Sequence, residues 1–312
     1  MLALLFPGQG AQRVGMGRDV FERSQAAREI FEAADTALGF SLSKIIFEGP
    51  ESELRRTELQ QPAILTTSIA LLRALEEIVP VLPDFVLGHS LGEYSALVAV
   101  EAIGFEDAVR VVHARGAFMQ EAVPEGRGAM AAILGLTADE VVACCAEVSG
   151  DGMVVAPANY NSPAQTVIAG HVEAVERASA LALDRGAKRA VPLDVSAPFH
   201  CSLMRAAAEK LVPELGQIRF RDPRVPVISN VEACENRSAA RIPSLLEAQV
   251  TAPVRFCESV ETLVSQGVTQ FLEIGPGSVL TGLVARIQRR AQRVNLSDFD
   301  GLEGAAAFAA GA

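Results

Sequence analysis

The sequence predicts an α/β fold in which a small split βαβ subdomain interrupts a larger α/β domain. Two short apolar runs, at residues 2–6 and 86–87, are typical of buried parallel strands. Residues 88–92 read Gly-His-Ser-Leu-Gly and join the second run to a helix-forming segment. Residues 129–193 are then predicted to follow the order strand, helix, strand, strand, helix, strand, which is that of a split βαβ unit.

Length, charge and cysteine content limit the expected number of domains, the type of partner and the cellular compartment. The chain has 312 residues, half of them hydrophobic, so a packed globule with one large domain or two moderate ones is expected. With 38 acidic and 27 basic side chains the net charge is -11, which argues against a nucleic-acid partner. The five cysteines are odd in number and lack C-x-x-C spacing, so a reduced cytoplasmic protein is expected. Neither an export signal nor a membrane-spanning segment is expected.

Residues 1–125 are predicted to begin the larger α/β domain. Pro7-Gly8 ends the first strand, and helices are expected from about residue 18 to residue 82. Three breaks divide this helical region: Gly39, Gly49-Pro50 and Pro80. The long apolar segment 63–78 is expected to pack in the core beside the strand that precedes Ser90.

The loop that follows the first strand, Pro7 to Gln12, is rich in glycine. It does not fit a nucleotide-binding motif, because Arg13 occupies the third Rossmann position and no Gly-Lys-Ser/Thr follows. We interpret it as a second wall of a site around Ser90, where the backbone N–H of Gln9 would donate to a negative oxygen. Taken alone, the loop fits a purely structural glycine turn better.

Ser90 is the candidate nucleophile. The glycines at positions 88 and 92 allow a strand-to-helix turn tight enough to present its hydroxyl. The N–H groups of the helix start, that of Leu91 first, would then face an oxygen that gains negative charge on an attacked carbonyl. A glycine turn without chemistry is the alternative for so short a pattern.

A helix is predicted over residues 106–122, with Arg115 at the centre of its apolar face. A buried guanidinium without a partner is strongly unfavourable. Its partner is either an acidic side chain of the protein or the carboxylate of a substrate, which the planar guanidinium matches well. The helix alone leaves both open and favours the first.

The inserted subdomain is assigned to residues 126–195, and the larger domain resumes over residues 196–300. Within the insertion, strands are predicted at 129–134, 153–159, 165–169 and 188–193, and helices at 137–148 and 172–184. Beyond it, strands are predicted at 226–230 and 270–274, and residues 249–254 are expected to be irregular. The tail 301–312, mostly Ala and Gly, is expected to be disordered.

His200 is the candidate general base, because a serine hydroxyl is a poor nucleophile until its proton is removed. It lies in a loop before a predicted helix and is free to reach into a cleft. His113 is placed on a solvated helix face and His171 near a helix start, where ordinary structural roles are expected. His89 lies inside the serine turn, and its side chain is expected to point away from the nucleophile.

Six segments occur in order along the chain: Phe6-Pro-Gly-Gln-Gly-Ala-Gln12, Gly88-His-Ser-Leu-Gly-Glu-Tyr94, Arg115-Gly116 with Met119-Gln120, Asn159-Tyr-Asn-Ser-Pro163 with Gln165, Pro198-Phe-His200, and Glu273-Ile-Gly-Pro-Gly277. Together they resemble the malonyl-CoA:acyl carrier protein transacylases and the related acyltransferase domains of polyketide synthases. The resemblance runs from residue 2 to about residue 298. It implies an α/β-hydrolase-like core with a ferredoxin-like insertion.

The resemblance also implies an activity. Malonyl would pass from malonyl-CoA to the phosphopantetheine thiol of a holo acyl carrier protein, through a malonyl-serine intermediate, in fatty acid or polyketide synthesis. No metal and no bound cofactor are implied, and a monomer is expected.

Site roles follow from the same resemblance. They are Ser90 as nucleophile, His200 as base, Arg115 as the residue that binds the free carboxylate of malonate, and the N–H groups of Gln9 and Leu91 as the oxyanion hole. Gln249 would orient His200 through its backbone carbonyl, so that a Ser-His dyad replaces a triad. Phe199 and His89 would line the substrate pocket, and a Phe at position 199 is common in malonyl-selective members. Ser278 departs from the pattern, because many relatives carry Lys there.

Two other functions stay open. A serine hydrolase acting on esters or thioesters shares the Gly-x-Ser-x-Gly turn, and Asp194 is the one convenient acid for its triad. However, such an enzyme often carries an HGGG-type loop, which is absent from this sequence, and has no need of a buried arginine. A non-catalytic scaffold that binds the carrier protein is the second alternative.

Overall fold

The computed structural model describes residues 1–124, 126–150, 152–195 and 197–311. Its strands are β1 (Leu2–Phe6), β2 (Phe85–Gly88), β3 (Gly128–Leu134), β4 (Val155–Ser162), β5 (Gln165–His171), β6 (Arg189–Pro192), β7 (Val227–Ile228), β8 (Glu235–Asn236), β9 (Gln270–Ile274) and β10 (Gln292–Leu296). Its α-helices are α1 (Arg18–Arg23), α2 (Gln25–Leu38), α3 (Leu42–Glu48), α4 (Glu51–Leu54), α5 (Thr57–Glu76), α6 (Gly92–Ala99), α7 (Phe105–Glu121), α8 (Ala138–Val148), α9 (Val172–Asp184), α10 (Arg205–Gly216), α11 (Ile242–Thr251), α12 (Phe256–Ser265), α13 (Val279–Ile287) and α14 (Leu302–Ala310).

A six-stranded sheet in the order β10-β9-β1-β2-β7-β8 forms the larger core. All neighbouring pairs are parallel except β7 and β8. Because parallel strands end at the same edge of a sheet, the loops after β1 and β2 lie side by side. The N–H of His89 donates to the carbonyl of Phe6 across this edge, at 3.0 Å. The glycine-rich loop and the serine turn are thus brought together.

Strand β1 is apolar at every position because both faces of the sheet are covered. Leu2, Leu4 and Phe6 pack into the core on one face, and Ala3 and Leu5 pack into the core on the other. The long helix α5 contributes to the first of these cores and is buried over most of its length. The predicted buried parallel strand and the predicted core helix are both confirmed.

A second sheet, antiparallel and in the order β4-β5-β3-β6, is built between residues 128 and 192. Helices α8 and α9 pack on it over a separate apolar cluster, which is the split βαβ arrangement. The predicted fold class, an α/β-hydrolase-like parallel core with a ferredoxin-like insertion, is confirmed. The subdomain boundaries stay a prediction, because Glu125 and Ser196, at which they were set, lie outside the described residues.

Two predictions about the C-terminal part are wrong. Residues 249–251 belong to helix α11, and the irregular segment is confined to the residues after it. The tail is not disordered over residues 302–310, which form α14 with Leu302, Ala305 and Ala306 buried; Ala312 lies outside the described residues. Alanine favours helix strongly, and the spacing of these buried residues gives the helix one face that packs on the core.

Strand β10 was not predicted. It pairs parallel with β9 at the edge of the larger sheet. Within the described ranges, no helix combines the length and the apolarity that crossing a bilayer requires.

Candidate active site

Ser90 lies in a turn that only glycine neighbours permit. Its backbone φ is 53°, in the left-handed region that residues other than glycine rarely adopt. A Cβ on Gly88 would lie 1.8 Å from the carbonyl carbon of Gly92, and a Cβ on Gly92 would lie 2.0 Å from the carbonyl oxygen of Phe6. The backbones of β1, the serine turn and the start of α6 are therefore in direct contact. Ser90 is held at the tip of the turn.

Ser90 and His200 form a hydrogen-bonded pair, with Oγ and Nε2 separated by 2.7 Å. Nδ1 of His200 lies 2.8 Å from the carbonyl oxygen of Gln249. A carbonyl can only accept, so Nδ1 carries the proton and Nε2 is free to accept one from Ser90. Burial, and next the positive charge of Arg115, lower the pKa of His200 to about 3. The imidazole is therefore neutral and able to act as a base.

Arg115 is 1% exposed and reaches the serine. Its Nη2 donates to Ser90 Oγ at 3.2 Å and to Gln249 Oε1 at 2.9 Å, and its Nη1 donates to Gln61 Oε1 at 2.7 Å. No acidic side chain forms a salt bridge with it in the part of the chain that the structure describes. Of the two partners left open by the sequence, an acidic side chain in direct contact is not present among these residues. Glu93 acts on the guanidinium only at a distance, with Gln249 hydrogen-bonded to both.

Helix α7 approaches α5 closely enough to bring Arg115 to Gln61. A Cβ on Gly116 would lie 2.5 Å from the carbonyl oxygen of Thr57, so a larger residue at this position would push the two helices apart. Amides accept hydrogen bonds without neutralising the guanidinium. Its positive charge is therefore held in place and left available to an anion beside Ser90.

A cavity of ≈ 650 Å³ opens beside the serine and is lined by Gln9, His89, Ser90, Phe199 and His200, among others. Among the described residues, no hydrogen bond occupies the backbone N–H of Gln9 or that of Leu91. Leu91 follows the nucleophile in the chain, and Gln9 lines the cavity beside it, so both N–H groups are candidate donors of an oxyanion hole.

The two predicted pocket residues are placed at the cavity. Phe199 is 5% exposed. Nε2 of His89 lies 2.9 Å from Oδ1 of Asn161 in β4, so this ring is joined to the second sheet rather than to Ser90. Burial lowers the pKa of His89, which favours the neutral ring.

Asp194, the acid considered for a hydrolase triad, does not reach His200. It forms an ion pair with Arg55 at 2.7 Å, and its side chain is 90% exposed. The position facing Nδ1 of His200 is taken by the Gln249 carbonyl. The Ser-His-Asp arrangement of that alternative is therefore not formed.

Sequence reasoning missed three polar residues that hold the site. Asn230 Oδ1 accepts from the N–H of Ser90 at 2.7 Å, and its Nδ2 donates to the carbonyl of Gly88 at 2.6 Å. Gln61 accepts from Arg115, and Glu93 accepts from Gln249 Nε2 at 2.6 Å. The available signals were a polar residue at the end of a buried strand for Asn230 and a charged residue in an otherwise apolar helix for Glu93.

Comparison with known proteins agrees with this geometry. Residues 3–299 match the family of the acyl transferase domain. The malonyl CoA-acyl carrier protein transacylase of Bacillus subtilis is 51% identical over 302 residues, which are 97% of this chain and 95% of the relative. That of Escherichia coli K12 is 51% identical over 286 residues, 91% of this chain and 92% of the relative.

Solved structures give the same result. The malonyl CoA-acyl carrier protein transacylase of Coxiella burnetii superposes with a TM-score of 0.96 at 41% identity, over 98% of this chain and 96% of that one. A malonyl-transacylase in complex with a type II PKS acyl-carrier protein superposes with a TM-score of 0.95 at 46% identity, over 98% and 99% of the two chains. The chain belongs to the acyl transferase domain family and, within it, to the malonyl CoA-acyl carrier protein transacylases.

Proposed function

We propose that this protein transfers a malonyl group from malonyl-CoA to the phosphopantetheine thiol of an acyl carrier protein, through a malonyl ester of Ser90. One observation carries the proposal. A fully buried guanidinium, hydrogen-bonded to amides and without a direct salt bridge among the described residues, lies 3.2 Å from the nucleophilic oxygen. A thioester of a diacid presents a carboxylate to such a cation while its carbonyl carbon faces the serine.

In the first half-reaction, Ser90 Oγ attacks the thioester carbon while His200 Nε2 takes its proton. The tetrahedral oxyanion accepts hydrogen bonds from the N–H groups of Gln9 and Leu91, each worth about 3 kcal/mol in comparable sites. The C–S bond then breaks, and His200 returns the proton to the sulfur of CoA. A malonyl ester of Ser90 and free CoA result.

In the second half-reaction, the thiol of the carrier protein gives its proton to His200, and its sulfur attacks the ester carbon. The C–O bond to Ser90 breaks, and His200 returns the proton to Oγ. The enzyme is restored and malonyl leaves on the carrier protein. Because one product leaves before the second substrate enters, the kinetics are ping-pong.

Arg115 accounts for the selection of malonyl over acetyl. Its Nη2 contact with Ser90 Oγ, at 3.2 Å, is the longest of its three side-chain hydrogen bonds. A substrate carboxylate would replace this contact with a charge-assisted hydrogen bond. An acetyl group offers no anion, so its transition state would lack this hydrogen bond to the guanidinium. Phe199 and His89 complete the pocket around the acyl chain.

Incubation of the purified protein with malonyl-CoA tests the proposal directly. Intact-mass spectrometry is expected to show the addition of one malonyl group, and peptide mapping is expected to place it on Ser90. Addition of a holo acyl carrier protein should then discharge the adduct. A protein that gains no malonyl would contradict the proposal and favour the non-catalytic scaffold.

Replacing Arg115 with alanine is expected to lower kcat/KM for malonyl-CoA by about 10²-fold or more, because a charge-assisted contact to the substrate is lost. Transfer from acetyl-CoA should change little. The matched control is Arg110→Ala on the exposed side of the same helix, where the guanidinium pairs with Asp107. Equal losses with both acyl donors would show that Arg115 does not select the carboxylate.

We also propose that the protein acts as a monomer in the cytoplasm. The site groups described above come from one chain, so catalysis needs no second copy. The five cysteines are free, which supports a reducing compartment.

A further inference from the structure

Glu93 is a buried carboxylate that the proposed steps do not use. It is the second residue of α6 and is 3% exposed. Its Oε2 accepts from Gln249 Nε2 at 2.6 Å and from the N–H of Asn230 at 3.2 Å. No basic side chain forms a salt bridge with it in the described ranges. A buried charge of this kind is costly to keep, so its place in the site calls for a physical reason.

Each reactive group of the site is one residue away from Glu93. Gln249 joins it to Arg115 through the side-chain Oε1, at 2.9 Å, and to His200 through the backbone carbonyl, at 2.8 Å. The same amide donates from Nε2 to the carbonyl of Ser90 at 3.0 Å. Asn230 joins Glu93 to the N–H of Ser90. One carboxylate thus anchors both residues that hold the dyad and the cation.

The reaction creates a charge problem that this network can solve. When His200 takes the serine proton it becomes an imidazolium in a buried site that already holds the Arg115 cation. In Ser-His-Asp triads the acid at Nδ1 stabilises the imidazolium. Here the neutral carbonyl of Gln249 occupies that position. A negative charge that compensates the imidazolium would therefore have to lie beyond Gln249, where Glu93 is found.

We propose that Glu93 is a positioning residue that acts through Gln249, fixing its amide and supplying the negative charge that a triad would place directly on the histidine. The proposal rests on the proposed function, since it concerns the acylation of Ser90. Glu93 would thus favour the acylation step without touching the substrate.

The pH dependence follows from the groups around Glu93. Arg115 from α7 and Tyr94 on its own helix interact with it, and His89 and His200 are the other titratable groups beside Ser90. Burial raises the pKa of Glu93 to about 7 and that of Tyr94 to about 12, while the pKa of His200 is lowered to about 3 and that of His89 is also lowered. Arg115 stays charged.

In this set Glu93 is therefore the group that changes charge near neutral pH. It is ionised above about pH 7 and protonated below. The proposed stabilisation is present above that pH and lost as the pH falls through it.

The test is the rate of Ser90 acylation in wild type and Glu93→Gln, measured by rapid quench and intact mass. Malonyl-pantetheine is the acyl donor, because it carries no phosphate that titrates in the same range. The glutamine keeps an oxygen that accepts the same hydrogen bonds, removes the charge and replaces the second carboxylate oxygen with an NH₂ group. At about pH 8 the rate constant is expected to fall about tenfold. KM should not rise, since a negative charge near the substrate carboxylate has been removed.

The pH profile separates this role from a structural one. Wild-type acylation is expected to slow as the pH falls through about 7, and this acid limb should be absent from Glu93→Gln. Glu93→Asp, which keeps the charge, should retain the limb. The matched control is Glu273→Gln, since Glu273 is also fully buried with a raised pKa but accepts from Leu280 and Thr281 at the start of α13. Its profile should match that of wild type.

Two results would overturn the proposal: a Glu93→Gln rate equal to wild type, or a reduced rate that keeps the wild-type acid limb. Failure of the proposed function would look different. In that case the wild-type protein itself would gain no malonyl group.

Discussion

Replacement of Ser90 with alanine is expected to abolish the malonyl adduct and to reduce malonyl transfer by about 10⁴-fold or more, because the only oxygen that forms the covalent intermediate is lost. The neighbouring thiol cannot take over. Cys201 is buried, its Sγ donates to the carbonyl of Pro198, and burial raises its pKa to about 11, so it stays a neutral thiol. Intact mass after incubation with malonyl-CoA is the measurement.

Ser95→Ala is the matched control for this substitution. Ser95 lies on the helix that follows the nucleophile and is fully buried, and its hydroxyl has no hydrogen-bond partner among the described residues. The control should retain the adduct, and both variants should give the circular dichroism spectrum of the wild type. An adduct that persists in Ser90→Ala would place the nucleophile elsewhere.

Replacement of His200 with alanine is expected to slow acylation of Ser90 by about 10³-fold, within the range that general bases contribute. Among the described residues, no other side chain hydrogen-bonded to Ser90 Oγ can take its proton, since Arg115 is a cation that only donates. Added imidazole should restore part of the rate by entering the space that the side chain leaves. Rapid-quench mass spectrometry measures both effects.

His171→Ala serves as the control for that experiment. Nδ1 of His171 accepts from the N–H of Val154 at the edge of the second sheet, away from the dyad, so acylation should be unchanged. A His200→Ala rate within a few-fold of wild type would remove His200 from the role of base. Because the pKa of His200 is lowered to about 3, its own protonation should cost no activity at neutral pH.

Local pattern was sufficient for the elements that carry the chemistry. The apolar run of β1 and the glycines around Ser90 predict a buried strand and a sharp turn because backbone geometry depends on near neighbours in sequence. The stripe around Arg115 predicts a buried cation for the same reason, since helical period alone places it among apolar residues. Both features are present in the structure.

Local pattern failed where packing between distant segments decides the outcome. The Ala- and Gly-rich tail lacks charged residues over most of its length and was expected to be disordered, but α14 is stabilised by burying one face against the core. Residues 249–251 were expected to be irregular, yet α11 extends through them. In both cases the surface that covers the helix comes from elsewhere in the chain.

The sequence by itself determined the α/β class, the turn that presents Ser90 and the presence of a buried arginine, because each follows from the conformational freedom or the spacing of consecutive residues. Only the tertiary structure decided what that arginine meets. Gln61 and Gln249 lie 54 and 134 positions from Arg115, and His200 lies 110 positions from Ser90. Whether a buried charge is neutralised by an acid or left for a substrate depends on which distant segments pack around it, and no local period in the sequence records that.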